Sequence, residues 1–180
     1  GAKPVSVRLR EENDFRFKID EFQSLITPRT KMVILNSPCN PTGGVLTPED
    51  LEAIYAAAKK HDLWIMSDEI YSRMIYEGQF HSISSVPGAM ERTICMDGMS
   101  KTYAMTGWRL GFAHGPAAII REMIKHYTRL ALIDTGRQAD LDRYRATVQI
   151  ITGDNLFGGA SVFDTDDEAV LFTNNASGGG

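Results

Sequence analysis

Four short apolar runs recur along the chain, and each is followed by a segment rich in polar residues, glycine or proline. A continuous apolar run of this length is typical of a strand that is covered on both faces of a sheet. Segments with apolar residues at helical spacing lie between the runs, so strands and helices alternate. This pattern predicts an α/β fold, a three-layer sandwich with a mostly parallel sheet. The four runs are Met32–Leu35, Leu63–Met66, Thr93–Met96 and Leu110–Ala113.

The segment between the first two runs carries the clearest helix signal. Thr47 is a favourable N-cap residue, Pro48 suits the first helical position, and Asp50 completes a capping box. The apolar residues that follow at helical spacing are Leu51, Ile54, Tyr55 and Ala58. We therefore expect an amphipathic helix between the first two strands.

The remaining patterns are weaker. Residues 5–10 alternate apolar and polar side chains, which predicts a half-buried strand. A short helical pattern after Asp20 stops at Pro28, and another begins at Pro116. Towards the end of the chain we expect a helix over Gln138–Ile151, a loop over Gly153–Gly159 and a short strand over Ala169–Thr173.

Composition excludes several classes of function. The 180 residues fit one domain, and a net charge of −4 gives no basic footprint for nucleic acid. No apolar run reaches membrane-spanning length, and two separated cysteines, Cys39 and Cys95, favour a reducing, cytoplasmic compartment. The histidines lack zinc-like spacing, and the acidic run Asp164–Glu168 lacks the glycine and distal glutamate of a calcium loop, so we expect no metal site.

Polar residues stand just past the ends of three predicted strands. Because ligands gather outside the carboxyl ends of strands in such sheets, we expect Asn40, Asp68 and Lys101 to converge on one crevice. Met99, Tyr103 and Met105 beside Lys101 would remove hydration that favours its charged form, which makes it a candidate amine nucleophile. Arg109 offers a planar fork of donors that suits a phosphate.

Three motifs together resemble the large domain of class I/II aminotransferases, the pyridoxal-phosphate enzymes of the aspartate aminotransferase fold (fold type I). They are Asn36–Gly44, Ser67–Tyr71 and Ser100–Gly111. The resemblance runs from Gly1 to about Arg129. It implies a partial pyridoxal-phosphate-binding large domain over residues 1–129 and a divergent tail of unknown structure over residues 130–180.

The resemblance also implies roles for individual residues. Lys101 matches the catalytic lysine that holds pyridoxal 5'-phosphate as an internal aldimine and then shuttles a proton. Asp68 matches the carboxylate that faces the pyridine nitrogen, and Asn40 and Tyr71 match hydrogen-bonding partners of the ring oxygen. Ser100 and Arg109 match phosphate contacts.

The implied reaction is transamination between an amino acid and a 2-oxo acid, in a homodimer. Two alternatives stay open on the sequence. One is a carbon–sulfur lyase of the same fold, which shares every motif. The other is a truncated, non-catalytic remnant that dimerises or binds, because the family's earlier glycine-rich phosphate turn, ring-stacking aromatic residue and substrate-binding arginine have no counterpart in these 180 residues.

Overall fold

A computed structural model describes residues 2–108, 110–123, 150–151 and 168–173. The chain divides into two compact units, Gly1–Thr93 and Ile94–Gly180. Among the described residues, no helix is both long enough and apolar enough to cross a membrane.

The first unit is built around two parallel strands and the helix between them. Strand β1 (Met32–Asn36) pairs with β2 (Trp64–Asp68), so that Met32 lies opposite Trp64 and Asn36 opposite Asp68. The connecting helix is α2 (Pro48–Lys60), as the sequence predicts. Smaller elements complete the unit: helix α1 (Ile19–Ser24) and 3-10 helices at Glu11–Asn13, Ile83–Ser85 and Ala89–Arg92.

Helix α2 begins at a complete capping box. Thr47 Oγ1 accepts the Asp50 N–H at 3.3 Å, and the Thr47 N–H donates to Asp50 Oδ2 at 3.0 Å. The same carboxylate accepts two hydrogen bonds from Arg16, from Nε at 2.6 Å and from Nη2 at 3.0 Å. Burial of Asp50 raises its pKa, but the hydrogen bonds from Arg16 and Thr47 together lower the pKa by more than burial raises it. The pKa of Asp50 therefore lies below its usual value.

The core of this unit lies between α2 and one face of the strand pair. Leu51, Ile54 and Ala58 of the helix pack in one cluster with Leu35 of β1 and Ile65 of β2. Further members of the cluster come from the segments before β1 and after β2: Phe17, Phe22, Ile83 and Ala89. The amphipathic stripe predicted for α2 is therefore the stripe that covers the sheet.

The opposite face of β1 is open, so the prediction that helices cover both faces of this strand is wrong for the part of the chain that the structure describes. Ile34 is 67% exposed and Met32 is 39% exposed, whereas Leu35 is buried. Side chains alternate between the two faces of a strand, and α2 covers only the face that carries Leu35. An apolar run alone did not reveal this asymmetry.

The predicted strand over residues 5–10 is also wrong. Residues 2–9 have no regular secondary structure, and Arg10 makes only an isolated antiparallel bridge with Arg16. Val5 is 61% exposed. Alternation supplies a candidate face, but a strand also needs a partner for its backbone groups, and residues 5–9 pair with no described strand.

The second unit contains antiparallel pairs. Strand β3 (Thr93–Gly98) pairs antiparallel with β4 (Leu110–Gly115), with Gly98 opposite Gly111. On its other side β4 pairs antiparallel with β6 (Glu168–Thr173), which also pairs with β5 (Ile150–Ile151). Helix α3 (Met99–Thr102) and a 3-10 helix (Thr106–Trp108) lie between β3 and β4, and residues 117–123 form a further helix.

These pairings refine the predicted fold. The α/β class is confirmed, and the first unit supplies the parallel pair that strand–helix alternation predicts. The link from β3 to β4 holds only a one-turn helix and a 3-10 turn, and a parallel return needs a longer crossover, usually a helix. The chain therefore turns back antiparallel.

Predictions for the end of the chain fare differently. The expected strand over Ala169–Thr173 is confirmed by β6. The expected helix over Gln138–Ile151 is wrong at its end, where Ile150 and Ile151 form β5; its other residues lie outside the described ranges. The loop over Gly153–Gly159 and the boundary between residues 129 and 130 also lie outside them and stay predictions.

Removing the Asp50 carboxylate should destabilise the protein. We expect Asp50→Ala to lower the free energy of unfolding by about 3 kcal/mol, because it removes the carboxylate half of the capping box and leaves the Arg16 guanidinium without this partner. Glu49→Ala, at the exposed neighbouring position, should cost less than about 0.5 kcal/mol. Urea titration of both variants measures the difference.

The same pair predicts a pH dependence. Since the folded-state pKa of Asp50 lies below its usual value of 3.8, its stabilising contribution is complete above that pH and is lost as the pH falls through the folded-state pKa. The stability difference between the native protein and Asp50→Asn should therefore shrink below about pH 4. A difference that stays constant down to pH 2 would contradict this assignment.

The open face of β1 should tolerate a polar residue. We expect Ile34→Ser to change the free energy of unfolding by less than about 1 kcal/mol, whereas Ile65→Ser, at a fully buried position in β2, should cost about 3 kcal/mol or more. Thermal unfolding of the two variants checks this. Equal losses would mean that the face of Ile34 is covered in solution.

Candidate active site

The loop after β1 is closed by its own backbone. The Cys39 N–H donates to the Gly44 carbonyl at 2.9 Å, and the Gly43 N–H donates to the Cys39 carbonyl at 2.7 Å. Gly43 has a φ of +75°, which favours glycine. Gly44 lies so close to the chain at Phe15 that an added Cβ would stand 2.8 Å from the Phe15 carbonyl oxygen. The two glycines thus serve different needs, one of conformation and one of space.

Asn40, which this loop carries, contacts Tyr71 from the loop after β2. The Asn40 Nδ2 donates to the Tyr71 hydroxyl at 3.0 Å. The Asn40 N–H donates to Asn36 Oδ1 at 3.0 Å, and this hydrogen bond restrains the Asn40 backbone next to the end of β1. The structure therefore brings together two of the site residues that the sequence predicts.

The ends of the two strands are linked as well. Asn36 and Asp68 are opposite residues in the parallel register. The Asn36 Nδ2 and the Ser37 N–H donate to the Asp68 carbonyl at 3.4 and 3.3 Å. The half-buried Asp68 side chain accepts the Ile70 N–H at 3.2 Å through Oδ1, which turns the chain at the end of β2. A carboxylate, an amide and a phenol are thus presented by two adjacent loops of the first unit.

The other predicted site residues belong to the second unit. Ser100 and Lys101 lie on the one-turn helix α3, directly after β3. The Lys101 side chain is half-buried, whereas Tyr103, expected to help desolvate it, is 59% exposed. Arg109 lies outside the described residues. The meeting of these groups with Asp68 in one crevice stays a prediction.

Two residues of this site were missed by the sequence reasoning. Asn36 supports Asn40, and Ser37 Oγ accepts the Leu46 N–H at 3.0 Å, which ties the start of the loop to its end. Both are short polar residues at the end of an apolar strand, and that position is the signal that would have found them. In the described residues, no group of three or more His, Cys, Asp or Glu is placed to hold a metal ion.

Comparison with known proteins identifies the class. The sequence profile of the family "Aminotransferase class I and II" matches residues 1–139. The chain is 53% identical over 126 residues to an aspartate aminotransferase of Pyrococcus abyssi, and 51% identical over 126 residues to aromatic-amino-acid aminotransferase 2 of Thermococcus litoralis. Each match covers 69% of this chain and 32% of the relative.

A solved structure agrees. The aromatic aminotransferase of Pyrococcus horikoshii superposes with a TM-score of 0.70 at 42% sequence identity, over 82% of this chain and 43% of that one. The chain therefore belongs to the class I and II aminotransferase family. It spans about a third of the length of the curated relatives that it matches.

The close approach at Gly44 gives a test of the loop. Gly44→Ala should lower the free energy of unfolding by about 1–3 kcal/mol, because its methyl group meets backbone atoms that cannot move aside cheaply. Gly107→Ala, where an added Cβ meets nothing within 4 Å, should be close to neutral. Chemical unfolding of the two variants measures this, and a neutral Gly44→Ala would show that the loop does not rest against Phe15.

Proposed function

We propose that the whole protein is a pyridoxal 5'-phosphate-dependent aminotransferase that moves an amino group between an amino acid and a 2-oxo acid. The observation that carries the proposal is the Asn40–Tyr71 hydrogen bond at 3.0 Å, on the two loops that also join Asn36 to the backbone of Asp68. Membership of the aminotransferase family supports it. Pyridoxal phosphate, when bound, supplies an aldehyde for the amino group and a ring that accepts electrons.

The donor set of the first unit suits such a ring. Asn40 offers an amide N–H and Tyr71 a hydroxyl, and both can donate to a phenolate oxygen on the ring. The Asp68 carboxylate suits a protonated pyridine nitrogen, because an adjacent negative charge stabilises the protonated form. Hydrogen bonds between the two loops join Asn40 to Tyr71 and Asn36 to the Asp68 backbone, and this reduces the rearrangement needed to orient a flat ligand.

We assign the remaining roles to residues of the second unit. Lys101 would hold the cofactor through its side-chain amine, and the same amine would serve as the base that accepts a proton from the substrate Cα. Ser100 and Arg109 hold the phosphate group. Arginine suits this task because its fork of donors reaches two phosphate oxygens at once.

The substrate class follows from the comparisons only in part. Relatives named for aspartate and for aromatic amino acids match this chain almost equally well, at 53% and 51% identity. The identity of the matched stretch therefore does not favour one of these substrates over the other. We propose an amino acid and a 2-oxo acid as substrates, and a second copy of the protein as its partner.

Binding of the cofactor can be tested on the 180-residue chain itself. On addition of pyridoxal phosphate we expect a new visible absorption band, distinct from that of the free cofactor, and we expect borohydride to fix the cofactor to Lys101, as located by peptide mass spectrometry. Lys101→Ala should abolish the band, and Lys60→Ala, on the exposed end of α2, should retain it. Asp68→Asn should weaken binding by about tenfold or more, since it removes the charge that faces the ring nitrogen.

Folded chain that shows no band in excess pyridoxal phosphate would overturn cofactor binding by this chain and favour the non-catalytic remnant. Activity of the whole protein is checked by the conversion of a labelled 2-oxo acid into the amino acid. Release of an unsaturated or sulfur-containing fragment in place of transamination would contradict the reaction type.

A further inference from the structure

Glu69 is a buried acidic residue directly after Asp68, and the residue is only 8% exposed. Two hydroxyl groups donate to the same carboxylate oxygen, Oε1: Ser67 Oγ at 3.0 Å and Ser82 Oγ at 2.9 Å. Hydroxyl bonds to a carboxylate are stronger than bonds between neutral groups. The carboxylate thus joins the end of β2 to Ser82, thirteen residues further along the chain.

The far side of this connection is firmly held. Ser82 caps the 3-10 helix Ile83–Ser85 by accepting the Ser84 N–H at 3.2 Å, and its carbonyl accepts the Ser85 hydroxyl at 2.6 Å. Ile83 is 1% exposed and belongs to the core cluster. Glu69 is therefore tied to a point that the core itself fixes.

The near side of the connection carries two of the proposed cofactor contacts. The Glu69 carbonyl accepts the Ser72 N–H at 2.8 Å, and the Tyr71 carbonyl accepts the Met74 N–H at 2.8 Å, so the chain turns tightly from Asp68 onwards. The Asp68 carboxylate accepts the Ile70 N–H within the same turn. Within such a turn, fixing Glu69 also fixes the directions in which Asp68 and Tyr71 leave the backbone.

We propose that Glu69 is a positioning residue for the cofactor site. Its carboxylate, held by Ser67 and Ser82, sets the turn that presents Asp68 and Tyr71 to pyridoxal phosphate, without touching the cofactor itself. The proposal rests on the proposed function. It assigns to the cofactor site a residue, Glu69, that acts through the loop backbone and makes no direct contact with the cofactor.

The test compares Glu69→Ala, Glu69→Gln and Glu77→Ala in the full chain. Glu77 is an exposed glutamate of the same loop region and serves as the matched control. Amide hydrogen exchange of Ile70 and Ser72 is measured in cofactor-free protein, with the N–H of the buried core residue Leu63, which donates to the Ala58 carbonyl, as reference for global opening. Affinity for pyridoxal phosphate is then measured from the visible band under conditions where every variant is folded.

We expect Glu69→Ala to speed exchange at Ile70 and Ser72 by about tenfold without changing exchange at Leu63, and to weaken pyridoxal phosphate binding by about tenfold. Glu69→Gln keeps an acceptor oxygen for the two hydroxyls and should recover most of both losses. Glu77→Ala should match the native protein in both measurements.

The outcomes separate this proposal from the proposed function. Equal exchange in Glu69→Ala and Glu77→Ala would overturn the role of Glu69, as would faster exchange with unchanged affinity. Acceleration of exchange at Leu63 to the same degree would mean that Glu69 only stabilises the fold. A native protein that shows no band would overturn the proposed function instead. If Glu69→Ala does not fold, Ser67→Ala, which removes one donor, replaces it with the same expectations.

Discussion

The parallel register of β1 and β2 places Asn36 opposite Asp68, and the loops that carry Asn40 and Tyr71 depend on that alignment. Both loops leave the sheet at the same edge because parallel strands end on the same side. The Asn36 side chain then spans the two strands, to the Asn40 N–H and to the Asp68 carbonyl. A shift of one residue in this register would turn Asp68 to the other face and separate the pair.

Elements with strong local signals were predictable from the sequence. The capping box at Thr47 and Asp50 and the stripe that begins at Leu51 specify α2, and the structure has both. The Asn40–Tyr71 hydrogen bond was not predicted, although the family motifs gave both residues as partners of one ring oxygen, because residues so far apart in sequence meet through the register of two strands. Local patterns carry no information on that register.

Features that depend on distant partners escaped prediction. The apolar run of β1 says nothing about which face is covered, and Ile34 is open where Leu35 is buried. The alternation of residues 5–10 offered a strand but no partner. In the sequence, Glu69 is simply a second acidic residue beside Asp68. Its hydrogen bond from Ser82 forms only because the fold brings the two residues together.

Strand β6, which pairs with β4 on the side away from β3, lies outside the stretch that matches the aminotransferase profile. The profile ends at residue 139, and β6 spans Glu168–Thr173. Strand addition is directed by main-chain amides and carbonyls, which every residue other than proline supplies, so it is largely indifferent to side-chain identity. β6 can therefore pair with β4 through its backbone although its sequence lies outside the stretch that matches the family profile.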